Sequence, residues 1–411
     1  MREDFSFMNE KIKEKPFYKK KWVKLAASTA ALGLLFGGVS GVVFVKTSAW
    51  VQEKQAQEQI ETIEIPKDEA HPSPDVTATP APVVVEAELT IEKYEKLYDE
   101  IQRLAQESSK SLVTVTAVNN DVDWFNEAYE TSGQSAGMII GDNSVELLIL
   151  TKYASVKSCD GIRVAFADKT SVSGELKKYD VSTGLAVISV NLSDISSATN
   201  QFISKANLGN SVALQPGEPI IAIGRADGSE SSVKIGTLTS VHNSKNIVDA
   251  EYVILNTDLI KNPGSDGVLI NLKGQVVGFI TEQNTQANMQ SVITAYGISD
   301  LKSLIEHMSN NQDVTYLGIR GMSVTAEAKS EGMPEGVYVT EVEMDSPAML
   351  GGIQNGDVIQ KINGQSIESM KDISAVLQKL SNKQNITVEG RRLTKDGYKT
   401  IEYKTALSVL E

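Results

Sequence analysis

Between residues 110 and 300 the apolar residues fall in short runs parted by turn residues: SLVTVTAV, GMII, VELLILT, GIRVAF, LAVISV, PIIAIG, EYVILN, GVLIN and QVVGFIT. Runs of this length suit strands, and no long helical pattern separates them. A parallel sheet would need such helices as crossovers, so the expectation is a mainly β body, a barrel or sandwich of antiparallel strands. Ahead of it, Ile91, Tyr94, Leu97, Tyr98, Ile101 and Leu104 recur at helical spacing from Thr90 to about Ser108. That stripe predicts an amphipathic helix packed on the β body. Residues 314–411 begin a second, α+β unit, with strands GVYVTEV and DVIQKING and a helix near Met370–Leu380.

Residues 25–45, LAASTAALGLLFGGVSGVVFV, contain no charge, Pro, Asn or Gln. As a helix this run spans the roughly 30 Å hydrocarbon core of a bilayer. Lys15, Lys19, Lys20, Lys21 and Lys24 precede it, so residues 1–24 are expected to be a basic cytoplasmic N-terminus and the remainder extracytoplasmic. A cleaved signal peptide is the rival reading, but its apolar core is normally only about 7–15 residues long. Gly33, Gly37 and Gly41 would line one face of the helix, where a second helix could approach closely. Residues 46–88 read as a stalk, because five of the chain's eleven prolines fall in an acidic tract there that cannot bury a core.

Charge and rare residues exclude several chemistries. Residues 1–46 carry nine Lys and Arg against four Asp and Glu, leaving 30 against 49 in the rest of the chain. A body so acidic is a poor partner for nucleic acid. The single cysteine, Cys159, cannot form an intramolecular disulfide or a thiolate metal site. No metal, nucleotide or other cofactor motif is present. The only histidines are His71 in the stalk, His242 and His307.

The order of segments resembles the HtrA (Deg) family of membrane-anchored, trypsin-like serine proteases with a C-terminal PDZ domain. TYLGIRG followed by GVYVTEVEMDSPAMLGGIQNGDVIQKINGQSI is similar to that family's PDZ pattern. LQPGEPIIAIG, TDLIKNPGSDGVLINLKGQVVGFIT and ITAYGISDLKSLIEHM resemble its second barrel and exit helix. The resemblance implies a trypsin-like double β-barrel over residues 89–308 and a PDZ domain over 314–411. It also implies oligomers, commonly trimers, or co-assembly with an active relative.

Such an enzyme needs a serine, an imidazole to take its proton and a carboxylate to orient the imidazole. Aligned on the family pattern, the histidine position holds Ala154, within ILTKYASV, and the aspartate position holds Gly184, within DVSTGLAV. The nucleophile segment NPGSDGVL is one residue short, so either Ser265 or Asp266 takes the serine position. With the base missing in either alignment, the expectation is a pseudoprotease. The alternatives are a Ser265 dyad with Lys152 or Lys261, an Asp180–Asp266 dyad, or another non-standard site that keeps the chain an active endopeptidase.

The PDZ resemblance implies a working peptide site. The loop that would hold a terminal carboxylate reads Tyr316-Leu317-Gly318-Ile319. Opposite it, a helix carries Ile373, Val376, Leu377 and Leu380, with Ile373 and Leu377 expected at the groove. The implied function is a membrane-anchored scaffold, sensor or adaptor in envelope protein quality control, binding C-terminal peptides of misfolded or partner proteins.

Overall fold

Strand β3 in the computed structural model, ELLILTK at Glu146–Lys152, shows how the fold is built from its pattern. Leu147 and Ile149 fill the interior of one barrel, while Leu148 and Leu150 face the other way into a seam shared with a second barrel. Both faces are buried, which is why the run is continuously apolar rather than alternating. PIIAIGR at Pro219–Arg225 repeats the device in the second barrel, with Ile220 and Ala222 inside and Ile221 and Ile223 in the seam.

The structure describes residues 61–68, 90–122, 128–281 and 291–410. The expected membrane helix at 25–45, its flanking lysines and glycines, and His71 lie outside them. Among the described residues no helix is long and apolar enough to cross a membrane.

The first barrel closes in the order β1 (Leu112–Val122), β2 (Ala128–Asp142), β3, β6 (Leu185–Asn191), β5 (Ser171–Asp180), β4 (Gly161–Phe166). The second closes as β10 (Asp266–Ile270), β11 (Val276–Thr281), β12 (Val292–Gly297), β9 (Ala250–Ile260), β8 (Ser232–Ile247), β7 (Pro219–Arg225). Helix α1 (Ile91–Ser109) starts where expected, capped by Thr90, whose hydroxyl accepts the Lys93 N–H at 3.4 Å. Only its second half packs as predicted: Ile101, Leu104 and Ala105 meet the seam, while Ile91, Tyr94, Leu97 and Tyr98 remain exposed. A one-turn helix, α2 (Tyr153–Val156), follows β3, and the long helix α3 (Ile298–Ser309) leaves the second barrel along the seam core.

Part of the predicted stalk departs from an open spacer. Asn310 bonds both the N–H and the C=O of Ile63, at 3.0 and 3.1 Å. Lys302 reaches Asp68 at 2.7 Å and Ile65 is buried in the seam. The apolar residues of TIEIP dock this stretch although the prolines beyond them do not predict it.

The C-terminal unit has its own core. A two-stranded piece, β13 (Thr315–Tyr316) with β20 (Ser408–Val409), leads into the sheet β14 (Ile319–Ser323), β15 (Val337–Val342), β16 (Val358–Ile362), β18 (Asn385–Thr394), β19 (Gly397–Ala406), with β17 (Gln365–Ser366) on β16. Helix α4 (Met370–Leu377) begins at a capping box formed by Ser369 and Asp372. Strand β14 is the sheet's edge, and helix α4 lies near it.

Candidate functional site

Two regions could carry chemistry: the seam between the barrels and the loop that opens the C-terminal unit. At the seam, the chain after β3 turns into α2, and the Tyr153 N–H donates to the Gly184 C=O at 2.8 Å. Positions 154 and 184, which the resemblance sets as base and orienting carboxylate, therefore lie on two segments joined by this bond. They offer an exposed methyl group and a hydrogen, and neither can hold or move a proton. Gly184 has φ +72°, a left-handed conformation that favours glycine. Asp180 does not substitute for it. Its carboxylate closes the preceding turn on the Thr183 N–H at 2.9 Å and the Thr183 hydroxyl at 2.6 Å.

Ser265 is fully buried. Its hydroxyl donates to the Ala226 C=O at 2.9 Å and accepts the Asn262 N–H at 2.9 Å, while its own N–H donates to the Asn262 C=O at 3.0 Å. These bonds commit it to the turn, and that N–H is not free to line an oxyanion hole. The side chain that crosses to the first barrel is Asp266, which opens β10. It accepts the Gly267 N–H at 2.7 Å and the Ala136 N–H at 3.1 Å, and lies 3.4 Å from the Lys152 ammonium. Burial pushes its carboxyl up, against the pull of Lys152 and the two N–H groups.

None of these contacts joins Ser265 to a lysine or Asp180 to Asp266. Lys152 stands on Asp266 rather than on Ser265. The oxygens of Asp180 are taken up within its own turn. His242 is exposed on β8, and His307 lies half-buried in α3, where burial lowers its pKa. Among the described residues no group of three or more His, Cys, Asp or Glu is arranged to hold a metal ion.

The second region is chemically better formed. Residues 316–319 present three successive backbone donors, and a carboxylate occupies them. The N–H of Leu317 reaches Asp249 Oδ2 at 2.7 Å, that of Gly318 reaches Oδ2 at 2.8 Å and Oδ1 at 3.0 Å, and that of Ile319 reaches Oδ1 at 2.9 Å. The Asp249 N–H returns a bond to the Ile319 C=O at 2.8 Å. Asp249 belongs to the second barrel: with Val248 it forms the two-residue turn between β8 and β9, at φ +59°. Burial pushes its carboxyl up to about 6, opposed by the three N–H donors and assisted by the negative charge of Glu343.

Gly318 makes the loop possible. At φ +94° it leaves no space for a side chain, since a Cβ there would lie 2.2 Å from the Cβ of buried Ser346. Tyr316 stands half-buried beside the loop, its hydroxyl pKa raised to about 12 by burial and by the charge of Asp249. Ile373 lies in the core of the C-terminal unit. Leu377, with Ser374 and Gln378, lines a cavity of about 40 Å³ whose other walls include Val248, Asp249 and Tyr316.

Sequence reasoning missed Asp249, Ser374 and Gln378. Asp249 is an aspartate in a tight turn, a common structural use, and its partners lie 68 to 70 residues away.

A trypsin-like peptidase domain model matches residues 135–279, and a PDZ domain model matches residues 338–392. The serine protease Do-like HtrB of Bacillus subtilis is 29% identical over 72% of this chain and 70% of its own length. A probable periplasmic serine endoprotease DegP-like of Pseudomonas savastanoi is 30% identical over 63% of this chain, which spans about half, 53%, of that relative. Among solved structures, the HtrA-type protease AlgW with decapeptide superimposes with a TM-score of 0.55, covering 75% of this chain and 98% of that one at 20% identity. At that identity the likeness speaks to the fold.

Proposed function

We propose, from the premise that the chain is an HtrA-type protein with a trypsin-like domain and a PDZ domain, that it binds the C-termini of other proteins and does not cleave them. The observation that carries this reading is the convergence of the Leu317, Gly318 and Ile319 N–H groups on one carboxylate. Three such donors are the chemistry by which a backbone nest captures a chain terminus, and edge strand β14 is suited to take the peptide as an added strand. AlgW, which shares this fold, was solved with a decapeptide.

On the catalytic side, a methyl group stands at the base position and the one serine of the nucleophile turn is bonded into that turn. Loss of the serine or histidine alone costs a serine protease about 10⁶-fold in turnover. With residues 25–45 read as an anchor, the PDZ domain would work outside the cytoplasm as a scaffold, sensor or adaptor in envelope protein quality control. It would act as a homo-oligomer or beside an active relative.

The test is casein hydrolysis by the full chain and by its Ser265→Ala variant, with a PDZ-binding peptide present. We expect no hydrolysis from either. Cleavage by the parent that vanishes in the variant would return the chain to the working proteases.

A further inference from the structure

The carboxylate in the PDZ loop belongs to the protein itself. We infer that the Val248–Asp249 turn is a tethered ligand: it occupies the terminal-carboxylate subsite of the PDZ domain, and a C-terminal peptide binds only as this turn is displaced. The inference rests on the peptide-binding reading above and adds how that site is regulated.

Three features distinguish the contact from ordinary domain packing. The Asp249 carboxylate takes the three donors of the loop together, leaving none for a second carboxylate. Its backbone N–H pairs with the Ile319 C=O, so the turn also imitates the main chain of an added strand. The mimic stops there. No further strand of the described residues pairs with β14, but β8 packs against it and β9 against α4, so an entering peptide displaces the barrel from the groove as well as from the loop.

The remaining polar contacts holding the two domains here are few and partly exposed. Lys371 on α4 pairs with Asp300 on α3 at 2.8 Å, and the Ser303 hydroxyl donates to Gln378. Leu304 and Val314 add apolar lining to the small cavity beside the loop. An interface of this kind resembles transient association, in which domains separate and redock.

Tethering makes the competition effective, because a ligand on the same chain acts at a local concentration of about millimolar. If about nine-tenths of molecules are docked, the apparent affinity for a free peptide falls about tenfold. The entering ligand is defined by the same atoms: a free main-chain carboxylate on an apolar terminal residue, since the loop's side chains are Leu317 and Ile319 and the facing helix contributes Leu377.

The experiment measures binding of fluorescein-labelled decapeptide pools ending in Val, Leu or Phe to the full chain, with C-terminally amidated pools as controls. Asp249→Gly keeps the left-handed turn and removes the carboxylate, and Asp249→Asn keeps the shape and removes the charge. Lys371→Glu sets a like charge against Asp300 without touching the loop. We expect free-acid peptides to bind Asp249→Gly at least about tenfold more tightly than the parent. Lys371→Glu should strengthen binding in the parent and add little to Asp249→Gly. Equal affinity of parent and all variants for free-acid peptides, with amides excluded, would overturn the tethered ligand and leave the peptide site intact. If no variant binds any free-acid peptide, the peptide-binding reading itself falls, and the tethered ligand with it.

Discussion

The seam between the barrels and the PDZ loop each end on a buried aspartate that accepts backbone N–H groups. Asp266 takes those of Ala136 and Gly267, and the Lys152 ammonium stands against it. Asp249 takes those of Leu317, Gly318 and Ile319, and no basic side chain of the described residues pairs with it. All three partners of Asp266 lie within the double barrel, whereas those of Asp249 belong to another domain. A buried carboxylate with its cation in one continuous core is a fixed part of the fold, since opening it would expose the seam. The same group held by N–H donors across a domain boundary can be exchanged for water or for another carboxylate. The first carboxylate ties the two barrels together, and the second ties the loop of one domain to the turn of another.

The sharpest way to break this contrast is to cut each site and measure unfolding. Lys152→Met leaves the Asp266 carboxylate buried beside two N–H groups without its cation. Removing one partner of a buried pair costs about 3–5 kcal/mol, and we expect that loss in the denaturant midpoint. Asp249→Gly should cost far less in the same assay, because undocking lets water reach the three released N–H groups. An Asp249→Gly variant that unfolds as readily as Lys152→Met would make both sites structural locks.

The next effect is on pH. In the docked state burial pushes the Asp249 carboxyl up to about 6, from 3.8 when it is free. Docking is therefore at full strength below the lower value, weakens as pH rises between the two, and stays at its weaker level above 6. A displacement of that size changes the docking constant by roughly a hundredfold at most. Free-acid peptides should bind more tightly at pH 6.5 than at pH 4.5, as read by the same fluorescence titration. The groups facing Asp249 are Glu343, Arg320 and Tyr316 from the PDZ side and Lys245, Tyr252 and Asp180 from the barrels. Asp249→Asn separates their contribution: a slope that survives in it would belong to them and would remove Asp249 from the pH response.

The same two sites show what a sequence can and cannot carry. Strands buried on both faces, such as ELLILTK and PIIAIGR, announce themselves as apolar runs. Strand β5, SVSGELKKYD, and much of β8 do not, because they are exposed along much of their length and their polar residues imitate loops. That Ala154 and Gly184 stand where the resemblance sets a base and its orienting carboxylate is a reading of the sequence pattern alone. The choice between Ser265 and Asp266 was not legible there, since it depends on strand pairing. Asp266 lies opposite Arg225 and Gly267 opposite Gly224, which starts β10 at Asp266 and leaves Ser265 in the turn. Asp249 was the least legible, because its role exists only once the PDZ domain docks on the barrel. The exposed first half of α1 and the docked residues 63–68 are the same lesson at smaller scale, for both depend on which surfaces lie within reach.

The smallest effect tests whether the seam is structure down to its serine. Ser265→Ala removes the acceptor of the Asn262 N–H and the donor to the Ala226 C=O. Ser265 is fully buried, and a buried polar group left without a partner costs about 1–3 kcal/mol, so a loss of that size is expected in the denaturant midpoint. The loss should be accompanied by no change in the Kd for free-acid peptides, because neither bond touches the PDZ loop. A nucleophile gives the opposite pattern: its hydroxyl must be free to attack, so its removal abolishes turnover and costs little stability. Wild-type stability in Ser265→Ala would show the hydroxyl idle in the fold, and the description of this seam as a lock would fail at that residue.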